Sequence, residues 1–353
     1  MSIPASPSFP RPLPEVAVPA DACVRRGDRL PGRIRYSVVI ACYQSAGYVC
    51  HAVDSVLSQG RPDVEVIVVD DGSSDAPDRA LGERLDSIVY CRQSNRGLSG
   101  ARNTGLALSR GRYFVSLDAD DHLESGFFEA LDACVETHRS PDAIATDTRF
   151  VGDHPLSGRL ESEAKGYRGS SPTRLDVLEM KVPSVGHAVM RRDVFIAAGG
   201  YDVQTKWVED WDMVLRMLAR GARFVACMDA VYGYLQHGST RVTGRGARNA
   251  SWGTKVFGRA LEWPVWSPQE RDVIERHAKE ARILHAYHSL GDAIEQADYG
   301  TIRPLLKEEA AIGLHDRLER FLLRTIRLLP DLVARLAFTP AARLLTGIRR
   351  LRS

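Results

Sequence analysis

The chain has no run of 18 consecutive apolar residues, so no transmembrane helix is expected. It also lacks a charge excess of either sign. Its 353 residues carry 47 Lys plus Arg against 45 Asp plus Glu, a formal charge of +2. That balance argues against a general nucleic-acid binder, whose phosphate contacts demand a clear basic surplus. The six cysteines, Cys23, Cys42, Cys50, Cys91, Cys134 and Cys227, include no Cys-x-x-Cys pair and no histidine set at zinc-ligand spacing. They read as reduced thiols of a cytosolic protein. No basic segment followed by an apolar one opens the chain, so no secretory signal is expected. A dinucleotide-binding domain would show Gly-x-Gly-x-x-Gly after its first strand, and Ala41 to Gly47 holds nothing of the kind. A Walker phosphate loop is missing too, which disfavours ATP hydrolysis as well as hydride transfer.

What is present is a 44% hydrophobic, 26% charged composition, suited to one large or two ordinary soluble domains. Residues 1–33 hold seven prolines and little apolar periodicity, and are expected to be a disordered leader. From Tyr36 the pattern alternates. β-Branched runs at Ser37–Ala41, Val64–Val69, Ile88–Tyr90 and Tyr113–Leu117 are separated by helical spacings such as Val49, Val53, Val56 and Leu57. This is an α/β pattern, a mostly parallel sheet flanked by helices. Residues 34–245 are assigned to the sheet domain, divided at about 123, and 246–353 to a helical C-terminal region.

Parallel sheets bind ligands where their strands end, so the residues after each strand carry the functional reading. After the first come Cys42-Tyr43-Gln44, and after the second Asp70-Asp71-Gly72-Ser73. The segment Asn95-Arg96-Gly97 to Asn103 then opens a helix with two arginines, and an arginine there, such as Arg102, suits a diphosphate. After the fourth strand come Asp118-Ala119-Asp120-Asp121. So many carboxylates in one turn repel unless a cation sits among them, and Mg²⁺ or Mn²⁺ prefers oxygen ligands. An ordinary capped loop is the alternative for each of these turns.

Together these motifs resemble glycosyltransferase family 2. The residues that carry the resemblance are Ser37–Tyr43, Val68-Val69-Asp70-Asp71-Gly72-Ser73, Asn95-x-Gly-x-Ser-x-Ala-Arg-Asn103, Leu117–Asp121, Gly199-Gly200-Tyr201-Asp202 and Glu209-Asp210-Trp211-Asp212. Gln44 stands where members often have Asn. The resemblance implies the GT-A fold and inverting transfer of a sugar from a nucleoside-diphosphate donor, a UDP-sugar above all, to an acceptor hydroxyl. It implies that Ala41 and Tyr43 lie at the nucleoside and Asp71 at the base. Asp118 and Asp120, with His237, would bind Mn²⁺ or Mg²⁺ and through it the diphosphate, and Asp210 would be the catalytic base. Glu209, Trp207, Trp211 and His187 are candidates for the acceptor side, with a structural role as the alternative for His187 and core packing for the two tryptophans, whose aromatic faces suit sugar rings. For Glu209-Asp210 a role in complementing the dipole of the following helix is compatible with catalysis.

The tail has its own pattern. From Arg317 to Arg352 there are nine arginines against two acids, interleaved with leucines at helical spacing. Such helices either lie on an anionic membrane surface or pack on protein, including a second copy of the chain. The expected setting is the cytoplasm or the inner membrane face, in synthesis of a polysaccharide or glycolipid, with a glycan or lipid-linked acceptor. Two rival readings remain, a nucleotidyltransferase on a related sheet and a sugar-nucleotide-binding scaffold without catalysis.

Overall fold

Tyr36–Cys42 (β2) and Val64–Asp70 (β3) are buried along nearly their whole length, as strands covered on both faces must be. They belong to a computed structural model that describes residues 16–236 and 246–295. Cys23–Arg26 (β1), Val89–Arg92 (β4), Tyr113–Asp118 (β5), His122–Leu123 (β6), Ala143–Gly152 (β7), Val189–Arg191 (β8) and Phe224–Gln236 (β9) complete a nine-stranded sheet in the order β1-β4-β3-β2-β5-β8-β7-β9-β6. Strands β2, β3, β4 and β5 run parallel. The antiparallel β8 sits between β5 and β7, which restores the original direction for β7 and β9. Strands β1 and β6 are antiparallel to their neighbours.

Helices α1 (Val49–Leu57), α2 (Pro77–Leu81), α3 (Gly97–Leu108), α4 (Phe127–Thr137), α5 (Glu161–Lys165), α6 (Arg174–Leu178), α7 (Arg192–Ala197) and α8 (Glu209–Ala219) cover or connect the strands. Side-chain alternation divides them between faces. Val38, Ile40, Val66 and Val68 pack with Val53 and Val56 of α1 and with Phe128 and Leu131 of α4. Val39, from the opposite face of β2, lies against α3, where a Cβ on Gly105 would come within 2.2 Å of Val39 Cγ1.

The chain order reverses at β2, with β3 and β4 to one side and β5 to the other, so a crevice opens between the carboxyl ends of β2 and β5. Ala41 pairs with Asp118 across that junction, and Cys42 pairs with Asp70 on the other side. The ends of three strands thus line one edge.

Two expected boundaries are corrected. The disordered leader placed at 1–33 already contains β1, which pairs with β4 from Cys23↔Arg92 to Arg26↔Val89; residues 1–15 lie outside the described residues. Without β1, β4 would be a bare sheet edge, and covering it supplies the reason for order there. Beyond the sheet the described residues form α9 (Gly246–Leu261) and α10 (Pro268–Glu295). Arg259–Ile274, however, belongs to the compact unit of the sheet, while among the described residues 246–258 and 275–295 belong to a second unit. Charge explains the exception. Arg259 is paired with Asp202 and Asp212, and Arg174 pairs with Glu270 and lies over the Trp266 ring. The tail from 314 lies outside the described residues.

Substituting Gly105 by alanine tests the α3–β2 contact. Helix propensity favours the change by up to about 1 kcal/mol, but the Val39 clash is expected to dominate and cost about 1–3 kcal/mol overall. Urea unfolding of Gly105→Ala with a midpoint at or above that of the wild type would contradict this.

Candidate active site

The acidic turn after β5 is held by a tyrosine. Tyr232 of β9 donates its hydroxyl hydrogen to Asp121 Oδ2 at 2.9 Å and accepts from the Asp118 backbone N–H at 3.0 Å. Asp121 Oδ1 accepts from the Leu235 N–H at 2.8 Å, so Asp121 is a buried structural acid. The pairing of β6 with β9 immediately after the turn brings Tyr232 there. Asp118 and Asp120 stay partly exposed.

The second acidic turn sorts its residues in the same way. Asp70 is fully buried and accepts from Tyr90 Oη, Arg92 Nη1 and the Ser73 N–H. Asp71 Oδ1 accepts from Gln93 Nε2 at 2.7 Å and from the Arg96 N–H at 2.8 Å. The neighbouring Tyr43 is 53% exposed, an unusual state for an aromatic side chain at a strand end. Gln44 adopts φ 52°, the left-handed region where Asn is far better tolerated than Gln. Its side chain instead bonds Ser74, in both directions, and ties the β2 loop to the β3 loop.

Arg102 joins the two halves of the site. Its Nη2 donates to Asp118 Oδ1 at 2.7 Å and its Nη1 to Glu209 Oε1 at 2.9 Å, with only 5% of the side chain exposed. The guanidinium lies over the Tyr201 ring, 5.2 Å from its centroid. The next residue, Asn103, bonds both the N–H and the C=O of Tyr201. Arg102 thus sits within α3, past its first turn, and bonds two carboxylates.

Glu209 and Asp210 are the first residues of α8, where carboxylates complement the helix dipole. Neither is the cap. That position is Val208, a β-branched residue at φ 63°, a costly conformation of the kind that clusters at functional sites. Asp210 packs against the backbone of Gly186, where a Cβ would fall 2.6 Å from Asp210 Oδ2. Any larger residue there would displace the carboxylate. Among the described residues Asp210 has no ion-pair partner, and its Oδ1 accepts from the Trp211 N–H. Burial pushes the Asp210 and Glu209 carboxyl groups above the ordinary range, while Arg102 opposes the rise in both.

His187, one residue beyond Gly186, stacks on Tyr232 with ring centroids 4.8 Å apart, and burial lowers its pKa. Trp207 and Trp211 flank Glu209-Asp210 and are half-buried. Ala41, Tyr43, Asp71, Asp118 and Asp120 gather at the ends of neighbouring strands, and Arg102 links Asp118 to the Glu209-Asp210 pair. His237 lies outside the described residues. Nothing in the sequence pattern marks Tyr232 or Arg259 as site residues. The Tyr232-Gly233-Tyr234 run reads only as strand, and Arg259 bonds Asp202, Thr205 and Asp212 from 47 to 57 residues away.

The switch-point crevice, with acids at the ends of adjacent strands and a further acid pair across it, defines the GT-A class of transferase fold. The family model for glycosyl transferase family 2 matches residues 37–198 of this chain. Glycosyltransferase GlyA of Streptococcus pneumoniae serotype 4 is 36% identical over 119 residues, which are 33% of this chain and 17% of that protein. The chain therefore spans less than a fifth of that relative's length. TarS 1-349 of S. aureus in complex with UDP-GlcNAc superposes with a TM-score of 0.60 at 14% identity, covering 79% of this chain and 89% of that one. The mannosyltransferase PcManGT of Pyrobaculum calidifontis, in complex with GDP-Man and Mn²⁺, gives a TM-score of 0.54 at 16% identity, covering 98% and 92%. At these identities the two structures establish the shared fold.

The raised Asp210 carboxyl has a consequence for stability. An acid whose folded pKa is raised favours the folded state in its protonated form, and that contribution is lost as pH rises through the folded pKa. Asp210→Asn is therefore expected to melt above the wild type at alkaline pH, with the difference shrinking as the pH is lowered. A melting difference that grows on acidification would contradict the assignment.

Proposed function

We propose that the chain transfers a sugar from a nucleoside-diphosphate donor to an acceptor hydroxyl, with inversion at the anomeric carbon. The observation that carries this reading is the Asp118–Arg102–Glu209 bridge, which ties the acidic strand end to the Glu209-Asp210 pair at one crevice. Exposed Tyr43 offers a ring face to the nucleoside beside Ala41, and Asp71 is held ready to accept from a base N–H.

The residues of the acidic turn fit a divalent ion. Among the described residues no cluster of three or more His, Cys, Asp or Glu could hold a metal alone. Asp118 and Asp120 supply two partly exposed carboxylates, the number Mg²⁺ or Mn²⁺ takes when phosphate oxygens complete its shell. When bound, the ion supplies positive charge to the departing diphosphate. His237 remains a candidate third ligand.

Asp210 takes the proton from the acceptor hydroxyl as that oxygen attacks. Its raised pKa brings it nearer to working pH than an exposed carboxylate, which improves a general base. Glu209, held in the Arg102 ion pair, is the anchoring member of the two. Trp207, Trp211 and His187 stand on the acceptor side. The favoured donor is a UDP-sugar, and the favoured acceptor a glycan or lipid-linked sugar of a surface polymer. The arginine-rich pattern beyond 314 would suit contact with the inner membrane face, or with a second copy of the chain.

Asp210→Asn is expected to lower transfer roughly 10²–10⁴-fold while leaving UDP binding intact in titration calorimetry. Parallel loss of binding would reject Asp210 as the base. Asp120→Ala should weaken UDP binding in the presence of Mn²⁺ but not in its absence, and an unchanged Mn²⁺-dependent heat would reject the metal role.

A further inference from the structure

The segment before the family match has a part in the nucleotide site. β1 runs antiparallel to β4, so the start of β1 lies at the carboxyl end of β4, where the loop Gln93–Arg96 begins. Asp21, two residues before β1, is therefore delivered to that loop. Its Oδ2 accepts from Ser94 Oγ at 2.5 Å and from the Ser94 N–H at 3.1 Å, and its Oδ1 accepts from Arg96 Nη2 at 2.7 Å. The hydroxyl of Ser94, the Arg96 guanidinium and the Ser94 N–H hold the Asp21 carboxyl well below the ordinary carboxylate range.

The same loop holds Asp71 from its other side. Gln93 Nε2 and the Arg96 N–H both donate to Asp71 Oδ1, and Gln93 is fixed in turn by Thr104 Oγ1 of α3. One short loop thus has Asp21 on one flank and Asp71 on the other. The attachment of the N-terminal segment is continuous beyond this point. The N–H groups of Gly27 and Arg29 donate to the carbonyls of Ile88 and Asp86, and a Cβ on Gly27 would meet Asp86 O at 2.3 Å. Arg25 pairs with Asp86 at the far end of β4. Asp21 and Arg25 therefore anchor the same segment at opposite ends of one strand pair, and only Asp21 reaches the loop that holds Asp71.

We infer that Asp21 is a positioning residue for the nucleotide, acting through Ser94 and Arg96 to set the Asp71 carboxylate. This rests on the proposed nucleotide-sugar site but assigns a role to a residue outside the matched region 37–198. The loop's register on Asp71 depends on the Arg96 backbone N–H, and fixing the Arg96 side chain and the Ser94 backbone on Asp21 restricts the conformations that N–H can sample.

The test compares the full-length wild type with Asp21→Asn, Asp21→Ala and, as control, Arg25→Ala. Hydrogen exchange over residues 93–97 reports the loop without any ligand, and calorimetric titration with UDP and Mn²⁺ reports the site. Both Asp21 variants are expected to exchange faster over 93–97 and to bind UDP about 3- to 10-fold more weakly. Arg25→Ala, which loosens the segment elsewhere, should leave both readouts at wild-type values. Unchanged exchange or unchanged UDP affinity in the Asp21 variants overturns the inference, as does equal weakening by Arg25→Ala. A wild type that binds no UDP while its loop exchange responds to Asp21 rejects the UDP reading of the site and the role in nucleotide binding with it, leaving Asp21 a structural clamp.

Discussion

A buried cation between two carboxylates is the constraint on which the rest of this site depends. Arg102 is nearly inaccessible to water, and desolvating its charge costs several kcal/mol that only well-placed partners offset. Asp118 and Glu209 are those partners, contributed by a strand end and a helix start 91 residues apart in sequence. Their separation in space is thereby set by the width of a guanidinium. The position of Arg102 follows from the packing of α3, whose Gly105 allows close approach to Val39 and whose Asn103 clasps the Tyr201 backbone. The Ala-Arg-Asn motif is therefore a junction, with one side chain joining acids and the next joining loops.

The turns that lead into Asp210 and its neighbour Gly186 are held away from relaxed geometry by similar means. Val208 at φ 63° and Ser184 at φ 42° both occupy a region that ordinary residues avoid. Such conformations persist only where contacts over-determine them. Ser184 donates to Glu161, and Asp202 and Asp212 share Arg259. Arg216 bonds the carbonyls of Ala198 and Gly200 from inside α8. Truncating Arg259 would remove bonds to three residues around Glu209-Asp210, which makes Arg259 part of the support of that segment although it lies beyond the matched region.

Much of this was legible in the sequence because strand ends announce themselves. An apolar run that stops in Asp-Asp-Gly-Ser or Asp-Ala-Asp-Asp marks both a strand and its carboxyl end, so Ala41, Asp71, Asp118 and Asp120 could be placed on one edge before any coordinates. Glu209-Asp210 was legible as an acidic helix start, and α8 begins there. Illegible were the residues whose meaning lies in distant contacts. Tyr232 acts on a turn 111 residues earlier through its hydroxyl, and nothing in an alternating strand pattern marks that hydroxyl. Strand β1 was hidden because its four residues are exposed, leaving no apolar periodicity to detect beside the prolines. The carboxylate partners of Arg102 were hidden for a related reason, since Asp118 and Glu209 lie 16 and 107 residues away.

The acids of the site come in adjacent pairs, and the structure divides the labour within each. Asp70, Asp121 and Glu209 are anchored by tyrosine, arginine or backbone donors. Their neighbours Asp71, Asp120 and Asp210 are the ones assigned to base, metal and proton. Adjacency has a physical use here. An anchored carboxylate fixes the backbone of the residue beside it, so the neighbouring acid inherits a defined position, and Asp71 and Asp210 both accept through Oδ1. The anchors also meet their desolvation cost through their own donors, so the working acid is not required to compensate them. For Asp210 this arrangement goes furthest. Glu209 absorbs the nearby arginine, Gly186 leaves room for the carboxylate, and burial then raises the affinity of Asp210 for a proton, the property a base needs.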